Sequence, residues 1–359
     1  MKNLSRKLFT YFDSRFLFSD LASLVKKKKV PEHKFSFWYY FGGICLFLFV
    51  VQVITGILLL LYYKPTSEGA FESIQFLMSQ VKFGWLIRSV HSWTANILIG
   101  AIFIHMFSTY FLKAYRTPRE LTWISGFFLF LIFLGFGFSG YLLPWNELSF
   151  FATRVGTDIA GTIPVIGGHI KTFILGGPEI SGATISRFFW LHVAVLPLIT
   201  VLFLGIHILL VQTLGMSKPI GIPENQIKNI PFFPNFMLKD SLGWMLIFVL
   251  IGVLCVFFPW ELGKKADMFA QTPLGIKPEW YFTFMFTTLK IIPAHILFME
   301  GEVLAIFGFM IGAFFWMLIP YLDRNASKER KSPVFTAVGF FVLAYIIIMT
   351  VLTYLHPRL

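Results

Sequence analysis

The chain has 359 residues, of which 57% are hydrophobic and only 13% are charged, and its formal net charge is +12. Soluble domains carry about 25% charged residues, so this composition excludes a soluble enzyme. It also excludes a nucleic-acid-binding protein, despite the positive charge. Long apolar runs between short polar segments indicate an all-α polytopic membrane protein.

The first 36 residues form a polar N-terminal segment. Leu4, Leu8, Phe12 and Phe16 recur at helical spacing, which predicts an amphipathic helix lying on the membrane surface. A solvated tail is the alternative interpretation. We expect residues 1–36 to stay on the cytoplasmic side.

Seven apolar runs follow, and each is long enough to cross a membrane as a helix. They cover residues 37–63, 85–112, 123–143, 188–214, 242–260, 303–321 and 334–355. Four of them lie within residues 37–217 and predict a four-helix bundle. The other three predict a second domain, residues 218–359, that includes a long loop. A Pro-rich connection separates the two parts.

Lysine and arginine are concentrated on one side of these predicted spans. The residues on that side are Lys26, Lys27, Lys28, Lys29, Lys113, Arg116, Arg119, Lys218, Lys228, Lys239, Arg324, Lys328, Arg330 and Lys331. Cytoplasmic loops carry such an excess, so the pattern predicts a cytoplasmic N-terminus and an external C-terminus. We expect the chain in a bacterial cytoplasmic membrane.

Two of the predicted spans each hold a pair of histidines. His91 and His105 are 14 residues apart, and His192 and His207 are 15 apart. On an α-helix, 14 residues advance about 21 Å and end about 40° short of the starting face. Fifteen residues advance about 22 Å and overshoot by about 60°. Each pair therefore lies on one stripe of its helix.

The two pairs match in depth, because both predicted spans run from the external side inward. His91 and His192 then face one another near the external surface, and His105 and His207 do so near the cytoplasmic surface. A single histidine in a membrane helix often serves only as a hydrogen-bonding group. Two matched pairs of costly buried groups instead favour the axial ligands of two haem irons.

These haems are expected to be non-covalent and b-type. The only cysteines of the sequence are Cys45 and Cys255, and each lies inside an apolar run. The sequence has no Cys-x-x-Cys-His motif for thioether attachment. We therefore expect neither cysteine to bind a haem.

Four glycines repeat the histidine interval. Gly42 and Gly56 are 14 residues apart in the first predicted span, and Gly126 and Gly140 are 14 apart in the third. Glycine allows a flat ring to approach the backbone, so the interval favours clearance for a cofactor. Ordinary packing of small residues between helices is the alternative.

Two long external connections, residues 144–187 and 261–302, are too apolar to be simple tethers. Glycine and proline punctuation in the first connection predicts short surface helices. The second contains the segment Pro278-Glu-Trp-Tyr281. Long structured loops usually carry function, so we expect a functional site on this side.

Several motifs, distributed over nearly the whole chain, resemble those of one known family. They are Gly84-Trp-Leu-Ile-Arg-Ser-Val-His91, His105, Pro118-Arg-Glu-Leu-Thr-Trp123, Gly140-Tyr-Leu-Leu-Pro-Trp145, Arg187-Phe-Phe-Trp-Leu-His192, His207 and Pro278-Glu-Trp-Tyr281. The family is the cytochrome b of the Rieske/cytochrome b quinol oxidoreductases, which are the respiratory bc and photosynthetic bf complexes. The 15-residue histidine gap resembles the bf branch, whose seven spans are usually split over two polypeptides. Here both parts are in one chain.

The resemblance implies a subunit that works by the Q-cycle. Quinol would be oxidised on the external side, and one electron would leave to a Rieske iron–sulfur protein. The other electron would cross between the two haems to a quinone site on the cytoplasmic side. A cytochrome c or a plastocyanin-like protein would be the acceptor. Further expected partners are a cytochrome c-type subunit, membrane lipid and a second copy of the complex in a homodimer.

The resemblance also assigns residues to the quinol-oxidation site. Glu279 would accept the proton and Tyr281 would act beside it, with Pro278, Tyr141 and Phe151 in the wall of the pocket. An apolar pocket raises the pKa of a carboxyl group by desolvation, which suits a group that takes a proton from quinol.

Two arginines lie just outside the external histidines. Arg88 and Arg187 would pair with haem propionates. Interfacial arginines that only extend toward water would look the same in the sequence.

Several residues depart from the family pattern or combine features of its branches. The bf branch has a cysteine that binds an extra haem where this chain has Tyr40, so a third, covalent haem is not expected. At the cytoplasmic quinone site, Gln212 stands where the respiratory branch has a histidine. Lys239 and Asp240 match the quinone-binding pair of that branch. The inner site therefore resembles a hybrid of the two branches.

A second function with the same histidines is a di-haem membrane anchor of a quinone-linked dehydrogenase or hydrogenase. Such an anchor would need neither the Pro278-Glu-Trp-Tyr281 segment nor a three-span second part. A transporter would require half-broken helices and a charge at the midplane, and no Asp, Glu or Lys lies at the centre of a predicted span.

Overall fold

The N-terminal segment contains the predicted helix, and a computed structural model of the chain shows Leu8 and Phe12 exposed on it. That this helix lies on a membrane stays a prediction. Lys26, Lys27 and the side chain of Leu4 lie outside the described part of the chain. The structure describes residues 2–16, 19, 28–273 and 275–356.

The first part of the chain consists mainly of long helices. Its elements are α1 (Lys2–Phe16), β1 (Lys29–Glu32), a 3₁₀ turn (Ser36–Tyr39), α2 (Tyr40–Leu60), α3 (Ala70–Gln80), α4 (Gly84–Phe111), α5 (Glu120–Leu142), α6 (Glu147–Gly161), α7 (Gly167–Leu175), α8 (Gly182–Trp190), a π-helical turn (Leu191–Val195) and α9 (Leu196–Leu214). Helix α8 runs through the π-helical turn into α9 without a break.

The second part contains fewer long helices. Its elements are a 3₁₀ turn (Glu224–Gln226), β2 (Lys228–Pro231), a π-helical turn (Phe232–Phe236), α10 (Met237–Phe257), α11 (Thr283–Ile291), β3 (His295–Ile296), β4 (Met299–Glu300), α12 (Gly301–Met317), α13 (Ile319–Leu322), α14 (Arg324–Ser327) and α15 (Pro333–Leu355). Strands β3 and β4 form a short antiparallel hairpin.

Six helices among the described residues are long and apolar enough to cross a membrane, whereas the sequence predicted seven. The six are Ser36–Leu60, Gly84–Phe111, Glu120–Leu142, Gly182–Leu214, Phe232–Phe257 and Pro333–Leu355. The run predicted at 303–321 is divided instead, because α12 ends at Met317 and α13 is a separate turn that begins at Ile319. Helix α12 spans only about 26 Å at 1.5 Å per residue, which is at the lower limit for a membrane helix.

The first four spanning helices form the predicted bundle. Helix α4 packs on α2 and α5, and α9 packs on α5. Helix α10 packs on α2 and α4, so the second part shares a core with the first. That core includes Leu48, Leu98, Ile102 and Ile251 together with Cys255, which is fully buried. Helix α15 packs on α4 and α11 and completes the assembly.

The N-terminal face of the bundle carries β1 and the connection after α9. Strands β1 and β2 pair antiparallel. Tyr39 donates a hydrogen bond to the Ser217 carbonyl at 2.7 Å, and the Arg116 guanidinium donates to the Ser217 hydroxyl and the Lys218 carbonyl, both at 2.7 Å. Arg119 donates to the carbonyl of Leu214 at 3.0 Å. Basic side chains therefore hold the connection in place.

The opposite face of the bundle carries α3, α6, α7 and the long segment before α12. The predicted short helices of residues 144–187 are confirmed as α6 and α7. The Asn146 side chain accepts a hydrogen bond from the backbone of Ser149, which caps α6, and donates one to the Leu262 carbonyl at 2.7 Å. Ala266 donates to the carbonyl of Trp145 at 3.1 Å. The two long connections are thus joined through backbone groups.

The corner between α3 and α4 gives a first testable prediction. A Cβ added at Gly84 would stand 1.9 Å from the Leu77 carbonyl oxygen, whereas one added at Gly205 would meet nothing within 4 Å. We expect Gly84→Ala to lower the free energy of unfolding by about 1–3 kcal/mol through overpacking. Gly205→Ala, the control, is expected to be neutral or slightly stabilising. Denaturant titrations followed by circular dichroism compare the two, and equal midpoints would contradict the close contact.

Candidate functional site

The four histidines lie inside the bundle in two pairs. His91 and His192 are close enough to interact electrostatically, and so are His105 and His207. Helices α4 and α9 both run toward the N-terminal face, so the second pair lies nearer to that face. All four imidazole rings are half-buried. The pairing by depth is the arrangement that the spacing predicted.

Each of the four glycines faces one histidine ring. A Cβ added at any of them would stand 2.6–3.5 Å from the Cε1 atom of that ring. The facing pairs are Gly42 with His105, Gly56 with His91, Gly126 with His207, and Gly140 with His192. Glycine thus lets the two glycine helices, α2 and α5, approach the histidine rings. The sequence predicted that these glycines make room for the flat ring of a cofactor. Among the described residues, the flat ring that faces each glycine is the imidazole of a histidine.

Three of the four histidines have a hydroxyl partner on their Nδ1 atom. The bonded pairs are Thr55 with His91 at 2.9 Å, Ser125 with His207 at 3.0 Å, and Ser139 with His192 at 3.0 Å. The Nδ1 atom of His105 is buried and has no hydrogen-bond partner among the described residues. A bond at Nδ1 orients an imidazole and leaves its Nε2 atom for a metal.

These hydroxyls were not among the residues predicted from the sequence, although the sequence carries a signal for them. Thr55, Ser125 and Ser139 each directly precede one of the glycines that face a histidine. At the fourth glycine, Gly42, the preceding residue is Phe41, which has no hydroxyl. This difference explains why His105 alone lacks such a partner.

The unequal histidine spacings have a structural reason. The π-helical turn at Leu191–Val195 contains His192 and forms the first part of the stretch that leads to His207. A π-helical turn closes its hydrogen bonds to i+5, so it absorbs about one residue more than an α-helical turn. The 15-residue spacing therefore acts like the 14-residue spacing of α4, and the overshoot expected for a regular helix is removed.

The residues present fit two haems with two histidine ligands each. The bundle offers paired imidazoles, three of which are hydrogen-bonded through Nδ1, and a Cβ added at the facing glycines would stand 2.6–3.5 Å from their Cε1 atoms. Two imidazoles at each of two depths suit the iron of a haem, which proteins hold through histidine. His91 with His192 and His105 with His207 would hold the haem iron.

The two arginines predicted to bind propionates contact backbone carbonyls. Arg88 is buried and donates to the carbonyls of Trp260 and Glu261, the latter at 3.1 Å. Arg187 is exposed and donates to the carbonyl of Phe173. Both guanidiniums therefore secure neighbouring segments, and their role toward propionates stays a prediction.

A second cluster lies on the opposite face of the bundle. Glu279 is half-buried, and Tyr141, Tyr281 and Tyr354 are close enough to interact with it electrostatically. Burial raises the pKa of the Glu279 carboxyl to about 7 and raises the pKa of Tyr281 well above its usual value. The cluster thus combines a carboxyl that titrates near neutral pH with neutral phenol groups.

Close packing on α5 positions Tyr281. A Cβ added at Gly137 would stand 2.4 Å from the Tyr281 hydroxyl oxygen, so the missing side chain makes room for the phenol in its present position. The neighbouring Trp280 donates its indole N–H to the Asn96 side chain at 3.0 Å and so links the loop to α4. Neither Gly137 nor Asn96 was among the residues predicted from the sequence.

Phe151 and Pro278 have different surroundings. Phe151 is fully buried in an aromatic cluster with Trp145 and Phe150, and Ile276 of the Glu279 loop packs on that cluster. Pro278 is half-buried directly before Glu279. The place of these two residues in a quinol pocket stays a prediction.

The predicted inner site lies at the N-terminal face, around the start of α10. Asp240 is buried, and its carboxylate lies against Gly43. A Cβ added at Gly43 would stand 2.1 Å from the Oδ2 atom of Asp240. Its Oδ1 atom has no hydrogen-bond partner in the described part of the chain, although the Trp244 indole lies beside it. Lys239 forms an ion pair with Glu32 of β1.

Two further residues at this face were singled out in the sequence. Gln212 accepts a hydrogen bond from the Lys28 ammonium, so the structure brings it to the N-terminal strand. Tyr40 stacks on Phe236 with ring centroids 4.9 Å apart. Tyr40 offers no thiol, and the absence of a third haem stays a prediction.

Comparison with known proteins agrees with this arrangement. Residues 25–215 match the family described as cytochrome b/b6/petB, and residues 265–358 match the family described as cytochrome b(C-terminal)/b6/petD. The chain belongs to the cytochrome b family. The resemblance of the motifs is therefore confirmed, and so is the presence of both family parts in one chain.

Individual relatives extend the match over nearly the full length. The cytochrome b subunit of a cytochrome bc complex from Chlorobaculum thiosulfatiphilum is 52% identical over 347 residues, which are 96% of this chain and 80% of that protein. Cytochrome b6 of Heliobacterium mobile is 42% identical over 200 residues, 56% of this chain and 94% of its own. A chain of a hyperthermophilic respiratory Complex III matches with a TM-score of 0.84 and 29% identity, covering 96% of this chain and 91% of its own. This cytochrome b is therefore a membrane subunit of the bc/b6f type.

The hydroxyl partners of the histidines give a second prediction. Ser139→Ala removes the hydrogen bond to His192 Nδ1, and loss of such a partner typically weakens metal binding about 10- to 100-fold. Competition with a haem-scavenging protein measures this loss in the purified chain. Ser241→Ala is the matched control, because its exposed hydroxyl donates only to the Met237 carbonyl of its own helix. Equal haem retention by both variants would show that the Ser139 hydroxyl has no part in holding the cofactor.

Proposed function

We propose that this cytochrome b works by the Q-cycle. It reduces quinone at the N-terminal face of the bundle and oxidises quinol at the face opposite to it. One observation carries the proposal: each candidate quinone site is one residue away from a glycine that faces a histidine. Tyr141, a neighbour of Glu279, directly follows Gly140, and Gly43, which Asp240 contacts, directly follows Gly42. Both sites are thereby adjacent to a histidine pair.

Glu279 would take the first proton from quinol. Its raised pKa, about 7, follows from burial, so near neutral pH it can accept a proton and later release it to water. Tyr281 remains protonated, because burial raises the pKa of its phenol, and its hydroxyl can position a quinol oxygen. Packing on Gly137 holds that hydroxyl in place.

When bound, two b-type haems would supply one-electron carriers at two depths of the bundle, so that one electron from each quinol can cross the low-dielectric core. The chain itself holds the ligands in register. The hydroxyls of Thr55, Ser125 and Ser139 orient three imidazoles, and the glycines keep the neighbouring helices clear of the rings.

The inner site would deliver protons to quinone as it is reduced. Asp240 offers a buried carboxylate whose Oδ1 atom has no hydrogen-bond partner among the described residues, and Lys239 offers a cation at the surface entrance. Gln212 contributes an amide on the same face, where its side-chain oxygen accepts a hydrogen bond from the Lys28 ammonium. A carboxylate can pass protons inward, while the cation stabilises negative charge that develops on quinone.

The same proposal includes partners and orientation. A Rieske iron–sulfur protein and a cytochrome c-type subunit would receive electrons at the opposite face, and the complex would form a homodimer in a bacterial cytoplasmic membrane. The basic N-terminal face would be cytoplasmic by the positive-inside rule. The Chlorobaculum relative is a subunit of a cytochrome bc complex, and this supports the assignment. The match of residues 265–358 to the C-terminal cytochrome b family disfavours the di-haem anchor, which does not need that part.

Glu279→Gln tests the outer site. This substitution preserves shape and removes the proton acceptor, so we expect quinol oxidation to slow about 10²- to 10⁴-fold with haem content unchanged. In the parent, the rate should rise with pH through about 7, because the unprotonated carboxylate is the active form and its pKa is raised to about 7. The variant should lose that step.

Steady-state turnover of the intact complex over a range of pH provides the measurement. Glu302→Gln is the matched control, since Glu302 is exposed on the same face at the start of α12. An unchanged rate and pH profile in Glu279→Gln would reduce Glu279 to a structural residue and would reject the proposed proton path.

The inner site has its own test. In the double variant Lys239→Met with Asp240→Asn, we expect quinol oxidation to begin normally and electron exit to quinone to fail. After a flash or a stopped-flow pulse, the reduced b-type absorbance should persist at least tenfold longer than in the parent, an effect of the size typical for loss of an acid–base group. Lys228→Met, an exposed lysine of β2, serves as the control. Decay at the parent rate in the double variant would reject the assignment.

A further inference from the structure

The two histidine pairs differ in the hydrogen bonds of their Nδ1 atoms. In the outer pair, His91 and His192 both have a hydroxyl partner, at 2.9 and 3.0 Å. In the inner pair, which lies nearer to the N-terminal face, His207 has one at 3.0 Å. The Nδ1 atom of His105 is buried without a partner among the described residues. A buried polar atom of this kind is uncommon, so the difference requires an explanation.

The direction of the three bonds follows from the hydroxyl groups. The Thr55 hydroxyl donates its single hydrogen to the Val51 carbonyl at 2.7 Å, so its oxygen accepts from His91 Nδ1. Ser139 and Ser125 donate in the same way to carbonyls of their own helix, at 2.8 and 3.0 Å. Each bonded imidazole is therefore the tautomer with its proton on Nδ1, and its Nε2 atom carries the lone pair that binds a metal.

Phe41 stands where a fourth hydroxyl would complete this pattern. It directly precedes Gly42, as Thr55 directly precedes Gly56, and the two positions are 14 residues apart on α2. A Cβ added at either glycine would stand 3.2–3.5 Å from the Cε1 atom of the facing histidine. The Phe41 ring packs on two aromatic rings of the preceding 3₁₀ turn, with centroids 5.7 and 5.8 Å away. It offers the imidazole no acceptor.

A hydrogen bond at Nδ1 changes how strongly an imidazole donates electrons to iron. When the Nδ1 proton is donated to an acceptor, the ring gains electron density and Nε2 becomes a stronger ligand. Stronger donation favours the ferric ion, because that ion carries the higher charge, and it lowers the reduction potential of the iron. An imidazole that lacks the bond therefore leaves the reduction potential higher.

We propose that Phe41 is a positioning residue for electron transfer. By withholding a hydrogen bond from His105, it raises the reduction potential of the iron that His105 and His207 would hold. This inference rests on the haem ligation proposed above. Because both rings of the outer pair are bonded, the outer iron receives no such contribution. The difference adds to the driving force for an electron that crosses the bundle toward the N-terminal face.

A redox titration of the purified complex, with chemical mediators and the b-type absorbance as the signal, tests the proposal. Phe41→Thr places a hydroxyl at the position that corresponds to Thr55, and Phe41→Val has nearly the same shape without it. We expect the threonine variant to have the lower inner reduction potential, with the outer potential unchanged. Partners of a ligating histidine change metal affinity about 10- to 100-fold. A tenfold change in the reduction equilibrium corresponds to about 59 mV for one electron.

Two further variants test the same effect at rings that are bonded. Thr55→Val removes the acceptor of His91 and should raise the outer reduction potential. Ser125→Ala removes the acceptor of His207 and should raise the inner reduction potential further. If the Phe41 variants do not retain haem, these two variants decide the question.

Equal inner potentials in Phe41→Thr and Phe41→Val would overturn the proposal, and so would unchanged potentials in Thr55→Val and Ser125→Ala. A defect of packing alone would shift both Phe41 variants together and leave no difference between them. Because the mediators set the potential without quinone turnover, the result is separate from the Q-cycle. A complex that oxidises no quinol but shows the expected difference would reject the Q-cycle and leave the role of Phe41 in place.

Discussion

Contact between each histidine ring and the backbone of a glycine is the constraint on which the rest of the bundle depends. It brings α2 against the rings of α4 and α5 against those of α9, so closely that a Cβ added at a glycine would stand 2.6–3.5 Å from the facing Cε1 atom. Because the glycines recur at the interval of the histidines, the helices remain in register along their length. The two proposed quinone sites begin one residue beyond these contacts. Helix packing, ligand orientation and the location of chemistry thus follow from one repeated contact.

Much of this arrangement was visible in the sequence because it depends on period. The spacing of His91 and His105 on a straight helix gives their common face directly, and hydropathy places the spanning helices within a few residues. The position of Glu279 beside Tyr141 came from family resemblance, since residues so distant in sequence cannot be related by periodicity. The common face of the two histidines on one helix is therefore a consequence of local geometry, while the outer site depends on tertiary packing.

Other features escaped the sequence for identifiable reasons. A π-helical turn has no strong residue signature, so the spacing on α9 looked less regular than it is. Hydroxyls are common in membrane helices, and Ser139 gains meaning only once its neighbour Gly140 is known to face a ring. Arg88 shows the opposite effect. Its position suggested a charged partner, yet nearby backbone carbonyls also satisfy a guanidinium, and only the folded chain shows that they are within reach.

The ladder between β1 and β2 connects the segment before the first spanning helix with the segment before α10. Together with the ion pair between Glu32 and Lys239, it fastens the two parts of the protein at one face by non-covalent bonds. The peptide link after α9 then contributes mainly a high effective concentration of one part near the other. If the polypeptide were divided there, the same ladder would become an intermolecular interface with the same register. Joining the two parts in one chain, or dividing them into two chains, would therefore leave the pairing of β1 with β2 unchanged.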